Sequence, residues 1–91
     1  MKPSTLFEEF EQIEEELGIH IMQKKGNFNE GYCLLKEKYI IVINKLKPIE
    51  QRVHSLSQDF AKLDTLHIYL KPTIRKMIEN EGHSLQVSSI N

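Results

Sequence analysis

Apolar positions change period along this chain, and each change marks an element. Leu6, Phe10, Ile13 and Leu17 are spaced four, three and four apart, the repeat of a single helix face, and Gly18 stands where a helix can close on a left-handed residue. Thr5 and Glu8 have the form of a capping box ahead of that face, so the pattern predicts a first helix over 5–17. From Ile19 the spacing shortens. Residues 19–23 are few and rich in β-branched side chains, which predicts a strand, and "KKGNFNEG" after them reads as a loop. Residues 32–36 and 39–44 predict two further strands joined by a tight turn at Glu37 and Lys38. Neither turn residue is Gly or Asn, so a two-residue primed turn there is expected to be strained.

The run "YIIVI" at 39–43 is apolar at every position, where a strand with one wet face would alternate. It is expected inside the sheet, with helices on both sides or with one side closed by a partner. Pro48 then suits the first position of a helix, and Ile49, Val53, Leu56, Phe60 and Leu63 repeat at helical spacing, predicting a second helix over 48–63. "LDTLHIYLK" breaks the repeat. Pro72 opens a third helix with Ile74, Met77 and Ile78 inward and an end at residues 80–82. The order helix, three strands, two helices predicts an α+β fold with a small, mostly antiparallel three-stranded sheet. One compact domain over 1–82 is expected, followed by a flexible tail at 83–91.

Composition narrows the function more than it names one. Ninety-one residues support one core, and 40% apolar with 27% charged residues is an ordinary globular balance. A chain of this length buries only about 60–65% of its unfolded surface, so dimerisation is an early expectation. The net charge of −1 gives no global attraction to nucleic acid. No run of 18 apolar residues occurs, and "MKPSTLFEEFEQ" is too acidic and polar for a signal peptide, which makes a cytoplasmic location the expectation. Cys33, the single cysteine, has no internal disulfide partner, and within "YCLLK" it reads as a buried, inert thiol.

Three short motifs bear on chemistry: "LGI" at 17–19, "VIN" at 42–44 and "EQR" at 50–52, set in a helix, a strand, a hairpin and a Pro-started helix. Over residues 10–63 this order resembles the N-terminal half of the ImmA/IrrE-type zinc metallopeptidase domain, found in regulators that cleave repressor proteins. The resemblance implies that the helix after "VIN" would carry HExxH, two His one turn apart on zinc and a Glu acting as general base. Counted from Arg52, the His positions fall at Ser57 and Ala61 and the Glu position at Gln58, and no HExxH occurs anywhere in the chain. What the resemblance implies is therefore a member without catalytic machinery, with no metal and no cofactor.

On the second helix Glu50, His54, Ser57 and Ala61 form the stripe next to the apolar one, where such a peptidase would hold its metal. Here the stripe is small and mildly polar, a surface suited to close approach of another polypeptide, and it is the candidate interaction surface. His54 with Gln58 and Asp59 makes a poor ligand set, because Gln is a weak transition-metal ligand and Asp59 lies on another side of the helix. No GxSxG, P-loop, GxGxxG or acidic calcium loop is present. Six glutamates between Glu8 and Glu16 make the first helix acidic, while residues 24–52 carry seven basic residues against three acidic ones. Lysines guarding strand edges explain the basic excess, with weak nucleic-acid binding as the runner-up. The reading is a non-catalytic protein acting by association, as a homodimer or with another protein. A divergent metallopeptidase-like hydrolase with an unrecognised site is the competing class.

Overall fold

A computed structural model describes residues 1–28 and 30–90, the last eight of these by backbone alone. Helix α1 is Pro3–Gln12 and α2 is Glu14–Leu17; strands β1, β2 and β3 are Ile19–Lys24, Gly31–Leu35 and Lys38–Asn44; helices α3 and α4 are Ile49–Phe60 and Pro72–Ile90. The α+β arrangement expected from the pattern is the one observed. β3 lies at the centre of the sheet, in the order β1-β3-β2. β2 and β3 form the antiparallel hairpin, and β1 joins in parallel with Ile19 opposite Tyr39 and Lys24 opposite Asn44.

This topology makes the 25–30 loop pass over the end of β3 to set β2 on its far side. Asn44, the last residue of β3, holds it there. Its Nδ2 donates to the Gly26 carbonyl at 2.8 Å, its N–H donates to Glu30 Oε2 at 2.6 Å, and its Oδ1 accepts the Leu46 N–H at 3.0 Å. A buried side-chain amide bonded through both its nitrogen and its oxygen is a fixed point, because leaving either unmatched would cost about 1–3 kcal/mol.

All helical packing lies on one side of the sheet. Ile19 and Ile21 of β1 and Ile41 and Ile43 of β3 face Phe7 and Phe10 of α1, Val53, Leu56 and Phe60 of α3, and Leu70, Ile74 and Ile78 around α4. At its centre Phe10 meets Phe60 edge to face, with centroids 4.8 Å apart. Arg52 ties the layers together, donating from Nη1 to Gln23 Oε1 at 3.3 Å and from Nε to the Lys47 carbonyl at 2.9 Å, with its guanidinium over the Phe7 ring. Arg75 does the same for the 61–71 connection, bonding Thr65 Oγ1 and the Thr65 and Ile68 carbonyls.

Several boundaries differ from the sequence pattern, each for a local reason. The first helix begins at Pro3, which takes the first helical position, so Lys2 is the N-cap and Thr5 lies inside the helix without capping it. The helix is interrupted at Ile13, beyond which the Glu14 carboxylate accepts the Ile21 N–H of β1. Gly18 closes α2 in the left-handed region with φ 67°, as its position suggested. Pro48 is the N-cap of α3 rather than its first residue, and α3 ends at Phe60 with Ala61 as C-cap. The hairpin turn is Lys36 and Glu37, one residue earlier than the pattern placed it, with φ 50° and 68°. α4 runs through residues 80–82 to Ile90 instead of stopping there. Of the side chains that the expected flexible tail at 83–91 comprises, nothing lies within the described residues.

Candidate functional site

The small polar stripe of α3 is engaged within the chain only in part. Ser57 is only 2% exposed, and its Oγ donates to the His54 carbonyl at 2.9 Å, an intrahelical bond. Ala61 is half-buried at the C-cap, Glu50 is exposed, and His54 Nδ1 lies 3.2 Å from Glu81 Oε1 of α4. Of Glu50, His54, Ser57 and Ala61, the helix brings the four into line, and α4 supplies a neighbour for His54. Gln58 is exposed and points away from that stripe into a polar cleft.

The cleft encloses about 650 Å³ between β2, the 45–48 turn and α3, and is lined by Glu30, Tyr32, Lys47, Ser55, Asp59 and Lys62 among others. Its charges are largely satisfied by one another. Glu30 accepts from the Asn44 N–H and from Lys47 Nζ, so both its oxygens are committed. Lys62 Nζ lies 4.0 Å from Asp59 and 4.6 Å from the centre of the Tyr32 ring, a cation over an aromatic face. Burial pushes the Asp59 carboxyl above the usual Asp range, Lys62 pulls against this, and Glu30 adds to it. No nucleophile–base pair is formed, since no hydrogen bond joins Ser55 or Tyr32 to Asp59 among the described residues. Nor do three His, Cys, Asp or Glu side chains among them converge as metal ligands.

The basic 24–52 segment is divided by the fold. Lys24, Lys25, Lys45 and Lys47 sit at one end of the sheet and Lys36 and Lys38 at the other, separated by the length of β3, roughly 20 Å. Arg52 is turned inward. The acidic helix is also less free than its sequence suggested: Glu9 pairs with Lys71 at 2.7 Å, and Glu14 serves the Ile21 N–H and lies 4.0 Å from His20. Glu11, crowded by burial and then by Glu14 and Glu8, holds its proton above the usual Glu range.

The remaining surface is the side of the sheet opposite the helices. Register places His20, Met22 and Lys24 of β1, Ile40 and Val42 of β3, and Gly31, Cys33 and Leu35 of β2 on this side. Met22, Ile40 and Val42 are half-buried by their neighbours in the sheet and by the 25–30 loop, and none belongs to the core. A shallow recess there is lined by Lys24, Phe28, Gly31, Tyr32, Cys33 and Val42. No known protein family, curated protein or solved structure matches the chain.

On β2, Tyr32 is 42% exposed, Leu34 65% and Leu35 56%, and Cys33 is exposed as well, not buried as its apolar surroundings suggested. A side chain on the outermost strand has a neighbour on one flank only, which is why an apolar sequence here stays open. Sequence reasoning singled out "YIIVI" and its demand for cover on two faces, but it gave "YCLLK" no such weight. The signal available was the same lack of alternation, in a strand whose flanking turn is too short for any helix to follow and cover it.

Proposed function

We propose that the chain is a small non-catalytic protein that works by associating with another polypeptide through the open side of its sheet and the β2 edge. The observation that carries this reading is the one-sided packing: every buried strand residue of the core faces the helices, while Met22, Ile40 and Val42 face outward beside exposed Cys33 and Leu35. Contiguous exposed apolar surface on a small domain marks an interaction site. Natural edge strands are guarded by inward charges, proline or bulges, and Gly31–Leu35 has none of these.

The association reading has a direct test in the cells that make the protein. A photo-activated cross-linking side chain placed at Leu35, exposed on the β2 edge and facing the open side, is expected to yield a discrete cross-linked species, whereas the same group at Gln51, exposed on α3, is not. Absence of a discrete species from position 35, or equal yields from both positions, would overturn the reading.

A further inference from the structure

The occupant of the β2 edge of this surface follows from the strand itself, and we propose that it is a second copy of the chain, joined through an antiparallel β2–β2 pairing about a two-fold axis at Cys33. The inference rests on the association reading above and names its partner. A two-residue hairpin closes on a hydrogen-bonded pair, here Leu35 with Lys38, so alternation makes Cys33–Ile40 and Gly31–Val42 the other bonded pairs. The N–H and C=O groups of Tyr32 and Leu34 consequently point away from β3, along an edge that no other strand occupies among the described residues. An antiparallel copy centred on Cys33 sets Tyr32 opposite Leu34 of the second copy, and its four outward groups meet four of the same kind.

The side chains agree with that register. On the helix side, exposed Leu34 of one copy covers exposed Tyr32 of the other, an aliphatic–aromatic cross-strand pair. On the open side, exposed Leu35 of one copy lands beside Gly31 of the other. A Cβ added at Gly31 meets nothing within 4 Å, and the recess there is lined by Phe28 and Val42. Knob and hollow sit four residues apart on the same strand, the self-complementary arrangement a two-fold interface requires. Slipping the register by two residues either way breaks these pairs and shortens the overlap. The product is a continuous six-stranded sheet whose β2 edges are removed.

Sedimentation and a thiol cross-link test this together. Directly opposed non-hydrogen-bonded residues have Cα atoms about 4.5 Å apart, within the range a disulfide spans. A mild oxidant, taking two electrons and two protons from the paired thiols, is expected to convert the protein to a Cys33-linked dimer. Without oxidant the sedimentation mass is expected to be twice that of one chain at micromolar concentration. Leu34→Pro removes an N–H that the hairpin does not use, and proline is tolerated on an edge strand. It is expected to halve the sedimenting mass while leaving the helical circular dichroism unchanged, and Leu35→Lys is expected to do the same by blocking the recess. A monomer at every concentration with no Cys33 product, or a dimer that both variants leave intact, would overturn the proposal. A discrete photo-cross-linked species from position 35 with a mass other than twice the chain would also overturn it, and would leave the association reading standing with a different protein as partner.

Discussion

Glu37 carries the clearest backbone strain in the chain. Its φ of 68° and the 50° of Lys36 put two residues with side chains in the left-handed region, where a Cβ costs about 1–2 kcal/mol. The chain tolerates this because a two-residue turn of that hand matches the twist of the flanking strands. Glu37→Gly is expected to raise stability by about 0.5–1 kcal/mol, the relief being partly offset by the greater freedom of Gly in the unfolded chain. An unchanged or lower urea midpoint would contradict this. Asp59 offers a second test at the same scale. Its raised carboxyl binds a proton more tightly folded than unfolded, so its contribution to stability falls as pH rises from the usual Asp range through the raised value, and stays low at neutral pH. Asp59→Asn is therefore expected to be more stable than the parent at pH 7, with a smaller advantage below the usual Asp range, where the carboxyl is protonated in both states. An advantage that grows on acidification would contradict the assignment.

Helix α3 and strand β3 were the elements most legible in the sequence, because both combine an unambiguous period with a large apolar payload. Val53, Leu56 and Phe60 are buried as their spacing predicts, and Ile41 and Ile43 are fully enclosed in the central strand. Phe60→Ala is expected to destabilise by about 3–5 kcal/mol, since it also removes the edge-to-face contact with Phe10. His54→Ala, on the exposed flank of the same helix, is expected to change stability by under about 1 kcal/mol. Denaturant unfolding of the two variants checks this, and a reversed order would mean that α3 is turned about its axis. The capping box failed for a physical reason. Thr5 and Glu8 fit the motif, but Pro3 offers an earlier start that needs no hydroxyl. The long α4 was equally hidden, because Gly82 in "NEGHS" carries a stop signal that the backbone ignores.

At the scale of the whole molecule, what the sequence could not convey was which demands the chain meets by itself. "YIIVI" asks for cover on two faces, and the helices supply one. The stripe of Glu50, His54, Ser57 and Ala61 looked open in sequence, and α4 reaches it through Glu81, a contact across 27 residues that no local pattern encodes. The hop of the 25–30 loop over β3, pinned by Asn44, is likewise a long-range event, and it turns an apparent meander into a sheet with "GYCLL" at its edge. Among the described residues no helix is long and apolar enough to cross a membrane.

Residue-resolved amide hydrogen exchange of β2 as a function of protein concentration tests the central claim, burial of this edge by association, most directly. The N–H groups of Gly31, Cys33 and Leu35 are bonded to β3 and serve as an internal reference, while those of Tyr32 and Leu34 have no partner within the chain among the described residues. Tyr32 and Leu34 are expected to become protected as concentration rises, approaching their three neighbours. Rapid exchange of Tyr32 and Leu34 at every concentration, with the other three protected throughout, would contradict it.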